Sequence, residues 1–527
     1  DRWRIWLRPC AQVDRPIQAL MTPSPTRHTR WLFADQLGPH FTADLGEHDV
    51  VLIIVATGSF RRRRYHRAKA HLVLSAMYHR AGELGDRCVL IEAETFTEGV
   101  QRYCRDFSVT PASISVSNPT SYGGRRLVQR LGVEVLDARG FVSSEQEFAH
   151  WAQTRGRKRL LQEDFYRNTR ARTGVLMEDG KPVLGQWNFD ADNRQPPPRK
   201  QQTLGLAQPW WPTEDSIDDE VRHRLDSWVS SGEVEFVGED GPRLFAATYA
   251  ETQQVLNDFI VHRLATFGPF EDAAMTDDWV MSHSLLSAPL NLGLIDPREC
   301  IAAVEDAYVR GDAPLNSVEG FIRQIMGWRD YVWHLYWHLG EDYVSSSNAL
   351  HAREPLPRWW RDLDYDSVDA ACIRTSLQQV HDTGWSHHII RLMVLGNWAL
   401  QRGYDPQATT EWFTEVFIDA YPWVMAANVV GMALYADGGV MATKPYAAGG
   451  AYINRMTNFC RPCVYKPTQR LGDDACPVTA GYWWFIDRNA AAFEGNVRMA
   501  QPLRGRNRLV DLPAVVAQEN DRGAVAP

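Results

Sequence analysis

The sequence predicts two unlike halves: an α/β unit built on a parallel, Rossmann-like sheet, then a long connector, then an almost wholly helical half. Three observations predict it. Between residues 30 and 141, apolar or β-branched runs alternate with stretches of helical period. The runs lack polar alternation, so their strands are expected to be buried on both faces. From residue 144 to 245 the chain turns polar and rich in proline, and beyond residue 249 the apolar spacing is that of helices.

Taken in order, strands are expected at residues 31–34, 50–55, 88–91, 113–116 and 133–136. The connector carries Pro196-Pro197-Pro198-Arg199-Lys200 and Pro209-Trp210-Trp211-Pro212, while residues 145–172 keep a helical pattern. In the helical half Leu256, Ile260, Leu264 and Phe267 share one face, and Gly268-Pro269 is expected to stop that helix. The division is therefore 1–29 as an extension outside the fold, 30–143 as the α/β unit, 144–245 as the connector, 246–510 as the helical half and 511–527 as a tail.

Composition bounds the function. A chain of 527 residues, 44% hydrophobic and 23% charged, has core enough for two to four domains, which excludes a disordered chain or a small disulfide scaffold. The charge of −9 is a whole-chain sum that does not advertise nucleic acid and says nothing of a local basic face. The longest apolar stretch, residues 389–400, is broken by Arg391 and Asn397, short of the roughly 18 residues a membrane span needs. The first thirty residues lack the apolar run and cleavage site of a signal peptide. A soluble cytoplasmic monomer is expected. Cys10, Cys88, Cys104 and Cys300 lie apart and read as small buried hydrophobes of a reducing compartment.

The other four cysteines form a pattern. Cys460-Arg-Pro-Cys463 is followed after twelve residues by Cys476-Pro477, and Cys372 supplies a fourth thiolate from upstream. Two thiolates two residues apart grip one metal centre from a single turn, and proline after the last cysteine accompanies iron–sulfur ligands. A four-cysteine zinc site satisfies the same set. A redox Cys-x-x-Cys fits less well, because the pair follows a helix in a Pro-, Gly- and Asp-rich loop.

Ser282-His283-Ser284-Leu285-Leu286-Ser287 leads into a helix, where hydroxyls and backbone N–H groups can cradle phosphate, or simply cap the helix. Further on stand Glu319 to Tyr331, with Arg323, Gln324, Trp328 and Arg329, and then Trp385-Ser386-His387-His388-Ile389-Ile390-Arg391. These segments, in this order behind an α/β domain, resemble the photolyase/cryptochrome superfamily. The four cysteines, Lys444-Pro445-Tyr446 and Tyr452-Ile453-Asn454-Arg455-Met456 look like its iron–sulfur bacterial branch, the prokaryotic (6-4) photolyases.

The resemblance implies an antenna-type α/β domain, a helical FAD-binding domain and light-driven repair of (6-4) pyrimidine photoproducts in double-stranded DNA. It implies that Ser284, Leu285, Leu286 and Ser287 hold the FAD pyrophosphate and that Arg323, Gln324, Trp328 and Arg329 line the flavin bowl. Arg391 pairs with Asp419 beside the isoalloxazine ring, with Asn428 near it. Cys372, Cys460, Cys463 and Cys476 bind a 4Fe-4S cluster. The flavin must lie below a cavity that receives a flipped-out lesion, and returning an oxygen between bases needs a proton donor, for which a histidine titrating near neutrality is suited. His388 is the expected lesion-facing acid and His387 its second member; adjacent residues stand about 100° apart on a helix, so at most one faces the cavity squarely. Tyr446 is a candidate lesion contact, and Arg199 and Lys200 are candidate phosphate contacts.

The chain departs from the pattern in places. Asp35 of Asp35-Gln36-Leu37 matches a lumazine-type antenna site, but Ser59 and Arg62 stand where an acidic residue and a tyrosine are expected, beside the Arg-rich rim Arg61-Arg62-Arg63-Arg64. Trp412 matches one member of a photoreduction chain, while Phe413 and Asp364 replace two others, so the route is expected to shift, through Trp398 or Trp423, with Trp359-Trp360 nearby. Met425 replaces an acid near flavin N5. These departures motivate an alternative, a cryptochrome-like blue-light photoreceptor without efficient repair; a third reading is a zinc-stabilised helical binder of single strands.

Overall fold

A computed structural model describes residues 28–156 and 159–527; most of the predicted extension therefore lies outside the described residues. Five strands form one parallel sheet: β1 (Thr29–Leu32), β2 (Val50–Ala56), β3 (Cys88–Ala93), β4 (Ile114–Ser117) and β5 (Glu134–Leu136), in the order β3-β2-β1-β4-β5. Every expected strand is present. The runs of β1, β2 and β4 are buried because helices such as Arg67–Leu84 and Phe96–Phe107 pack on the sheet, whereas the edge strand β5 departs from the expected burial, with Val135 39% exposed. The strand order reverses between β1 and β4, and in such sheets ligands bind in the crevice beyond the carboxyl ends of strands at that point.

The connector is more ordered than its composition suggests. It contains helices Glu145–Arg155, Gln162–Thr173 and Ser216–Ser230. Residues around Val237 then thread between the halves: the Val237 N–H donates to the Tyr65 carbonyl (3.0 Å), Arg67 N–H to Val237 (2.9 Å), and Glu239 N–H to His381 (2.9 Å). Two arginines of the predicted rim serve the same seam. Arg61 pairs with Glu94 (2.6 Å) and Glu233 (2.8 Å), and Arg64 with Glu235 (2.8 Å) and Asp362 (2.5 Å).

Two expectations for the helical half are corrected. Gly268-Pro269 does not stop the helix. The break falls earlier, at Arg263, and a second helix, Leu264–Phe270, contains the proline. Proline at 269 frees the Ala265 carbonyl, and the Ser317 hydroxyl donates to it (3.1 Å). Nor is 511–527 a loose tail: helix Leu512–Arg522 buries Val515 and sets Glu519 against Arg402 in a buried ion pair. Among the described residues no helix is long and apolar enough to cross a membrane.

Candidate functional site

Three segments of the helical half wind more widely than an α-helix: Arg323–Arg329, Ile390–Gly396 and Ala426–Ala433 are π-helical. Such turns are rare and concentrate at functional sites. Here the first carries Arg323, Gln324, Trp328 and Arg329, the second Arg391 and the third Asn428. Widening the turn changes which side chains share a face. Gln324 is exposed although Arg323, Ile325, Met326 and Gly327 around it are buried.

Arg391 makes a two-pronged pair with Asp419, at 2.8 and 3.0 Å, and its Nε donates to the Ser386 carbonyl (2.7 Å). Burial alone would raise the Asp419 carboxyl. The guanidinium, the Ser287 hydroxyl and Lys69 overcome it and hold Asp419 below the usual carboxylate range. The Asn291 amide donates to the Asp419 carbonyl (2.8 Å) and accepts from Arg329 Nε (3.2 Å). Arg329 also donates to Gly140 (2.7 Å) and Leu290 (3.1 Å), so its guanidinium clamps the connector's entrance to the end of the cradle helix. Arg323 pairs with Asp190 (2.7 Å) beside buried Glu319. The Asn428 amide donates to the Val424 carbonyl of its own helix (2.8 Å).

The cradle residues open the short helix Ser287–Asn291, with Leu285 in the left-handed region at φ 58°. A leucine there is strained, and strain of this kind persists where surroundings impose it, commonly at binding sites. The Trp385 indole N–H donates to the Ser287 hydroxyl (3.1 Å), joining the cradle to the histidine segment.

The two adjacent histidines part company. His387 is 1% exposed and stacks on His283, ring centroids 4.4 Å apart and 15° from parallel, whereas His388 is solvent-accessible. His283 is the residue that sequence reasoning missed. It was legible only as part of a serine-rich cradle, 104 positions before its stacking partner. Burial lowers His283 to about 3 and His387 well below its ordinary value, and His388, solvent-accessible but set deep among protein atoms, is lowered to about 4 by desolvation, with Arg391 adding to each effect. This corrects the expectation of a histidine titrating near neutrality, because a cation and a low-dielectric surround both disfavour imidazolium. His283 Nε2, both His387 nitrogens and the Ser386 hydroxyl are buried without partners. Such orphaned polar atoms beside an arginine–aspartate pair and a strained hydroxyl-rich turn fit a polar, phosphate-bearing group such as FAD.

Cys372, Cys460, Cys463 and Cys476 line one cavity with Gly450, Ile453 and Tyr465. A Cβ at Gly450 would come within 2.8 Å of the Cys476 sulfur and 2.6 Å of the Pro467 carbonyl, so only glycine lets helix Gly450–Met456 approach. Burial raises the Cys372 thiol well above its ordinary value and Cys460 to about 12, and the other cysteines of the set push in the same direction. Two groups of three His, Cys, Asp or Glu ligand atoms within 4.8 Å of one another occur among the described residues, and neither contains these sulfurs. A tetrahedral zinc with bonds of about 2.3 Å needs its sulfurs about 3.8 Å apart. Four cysteines on one cavity can hold a metal centre, a cluster or a zinc ion.

Trp412 is buried, and its ring lies 4.9 Å from Trp360, which lies 5.7 Å from Trp359. Inward, Phe417 is 6.3 Å from Trp412, and the Arg391 guanidinium sits 4.0 Å over its ring. Of the other routes weighed, Trp398 meets Trp359 at 6.3 Å, at the outer end, while Trp423 belongs to a separate group around Trp333 and Arg329. Tyr446 is 38% exposed, and Arg199 and Lys200 are exposed on the connector, where Arg461, from between the paired cysteines, donates to the Arg199 carbonyl. Asp35 lies beyond the end of β1, bonded to Thr120 beyond β4, and so spans the point where the strand order reverses.

A family model described as deoxyribodipyrimidine photo-lyase-related protein matches residues 30–235. A curated protein of Agrobacterium fabrum named (6-4) photolyase is 38% identical over 491 residues, 89% of this chain and 94% of that one. Among solved structures, a bacterial class III photolyase from Agrobacterium tumefaciens aligns with a TM-score of 0.56 at 14% identity, over 90% of this chain and 99% of that one. A Synechocystis cryptochrome aligns at 0.53 and 12% identity, over 92% and 99%.

Proposed function

Because the chain belongs to the photolyase/cryptochrome family, we propose that it is a (6-4) photolyase, which uses blue light to reverse (6-4) pyrimidine photoproducts in duplex DNA. The observation that carries this reading is the triple-histidine group, His283, His387 and His388, set against the Arg391–Asp419 pair. Reduced FAD, when bound, supplies the light absorption and the electron that the reaction needs. Ser284 to Ser287 would hold its pyrophosphate, Gln324 and Trp328 would line its recess, and Arg391 with Asp419 would fix the ring edge. Arg323 and Arg329 act behind them through ion pairs and carbonyls.

His388 is the proton donor in this reading. Its imidazole is neutral at rest; a negative charge arriving on a lesion opposes the effect of Arg391 and raises the ring's proton affinity, so that His388, open to solvent, takes up a proton from water and passes it to the lesion. His387, held by its stack on His283, keeps the neighbouring backbone and ring in place. Tyr446 would border the lesion, and Arg199 and Lys200 would meet phosphates, each steepening the salt dependence of binding. Cys372, Cys460, Cys463 and Cys476 would hold a 4Fe-4S cluster that ties segments distant in sequence. Asp35, half-exposed with its carboxyl raised by burial, would hydrogen-bond an antenna chromophore at the sheet's reversal point. The protein would work as a cytoplasmic monomer.

The test is repair of a lesion-bearing oligonucleotide by purified, reduced protein under blue light. We expect His388→Ala to lose repair at least a hundredfold while retaining its flavin absorption. Wild-type protein that holds FAD and repairs nothing overturns the reading and favours the photoreceptor.

A further inference from the structure

Lys69 lies in helix Arg67–Leu84 of the α/β unit, yet its ammonium reaches the helical half. It is 8% exposed, and a lysine is seldom so buried unless paired. Nζ donates to the carbonyls of Thr414 and Ala420, both at 2.7 Å, and faces the rings of Tyr65 at 5.3 Å and Tyr421 at 5.9 Å. Thr414 is in the last turn of helix Pro406–Val416, where carbonyls lack partners and the helix dipole favours a cation. Ala420 follows Asp419. One lysine thus closes the helix end and pins the residue beside the carboxylate that takes Arg391.

Asp419 thus offers one negative charge in the field of two cations, Arg391 in direct contact and Lys69 across the turn that Lys69 holds. We propose that Lys69 is a positioning residue of the flavin site, fixing the turn that bears Asp419 and leaving the Arg391–Asp419 pair with an excess positive charge that favours the reduced, anionic flavin. This rests on the FAD reading above. It makes the docking of the α/β unit part of the electrostatics of the other half. Burial draws Lys69 down to about 7, while Asp419 and Glu415 act to raise it and Arg63 and Arg391 to lower it. A further negative charge beside Asp419 holds the ammonium protonated.

The experiment is a dithionite titration of FAD-loaded protein, followed by absorbance against a dye of known potential. Lys69→Gln keeps donors for the two carbonyls but removes the charge. It is expected to keep FAD and to lower the reduced-to-oxidised ratio at fixed potential about tenfold, about 30 mV for a two-electron couple. Lys69→Met should lower it as well. Arg64→Ala, which weakens the same seam away from Asp419, should leave it unchanged. A Lys69→Gln potential equal to wild type overturns the proposal, as does loss of FAD from both Lys69 variants with Arg64→Ala intact, since Lys69 is then a packing residue. Wild-type protein that takes up no FAD counts instead against the flavin site itself.

Discussion

At the scale of single residues, the aromatic chain shows how a replaced side chain can be bypassed. Asp364 and Phe413 stand where the resemblance places oxidisable rings, but Trp360 lies 4.9 Å from Trp412 and continues the row to Trp359. We expect Trp360→Phe, which keeps a ring of similar packing but is harder to oxidise, to slow photoreduction of the bound flavin at least tenfold. Chemically reduced protein should repair as before. Time-resolved absorption under blue light measures the first effect, and an unchanged rate would show that electrons travel elsewhere. Tryptophan positions can be read from sequence. The contact of Trp360 with Trp412 cannot, because 51 residues separate them and only the packing of two helices brings the rings together.

At the scale of elements, the short helix Gly450–Met456 illustrates how a backbone approach sets a side-chain site. Cys476 and Pro467 leave no room for a Cβ at Gly450. Gly450→Ala must push the helix outward or displace the Cys476 sulfur. We expect a loss of about 1–3 kcal/mol, the usual range for overpacking, and, on the cluster reading proposed above, less iron and sulfide per chain than in the wild type. Thermal unfolding and metal analysis check both; a variant with wild-type iron would show that the cavity yields elsewhere. The π-helical turns belong to the same scale. A hydrophobic period near 3.6 marks residues 319–331 as helix and offers no hint that the turn widens from Arg323 onward.

For the whole molecule, buried histidines on both sides of the domain seam make the fold sensitive to acid. Burial lowers His66, at the seam, to about 4 and His334, in the helical half, to about 3. Their unfolded value is 6.5, so between pH 6.5 and 4 the unfolded chain binds more protons than the folded one, and stability falls as pH falls through that window. Fully protonating them costs on the order of 3 kcal/mol at His66 and 5 kcal/mol at His334, stability that is present above pH 6.5 and lost on acidification. Circular dichroism across this range should show the unfolding midpoint in denaturant falling steadily below pH 6.5. A midpoint independent of pH between 6.5 and 4.5 would refute the account.

The sequence by itself determined the two-part architecture, because unbroken apolar runs must be buried on both faces and helical spacing must present a stripe to a core. It also marked Cys460 and Cys463, since paired thiolates two residues apart are legible as spacing, whereas only the fold brings Cys372 to the same cavity. The tertiary structure alone decided that His283 stacks on His387, that burial beside Arg391 keeps both neutral, and that helix Leu512–Arg522 buries Val515 and Glu519. Each of these follows from contacts between segments scores of residues apart. Local pattern encodes which face a residue occupies, whereas proximity and dielectric surroundings arise only once those faces have met.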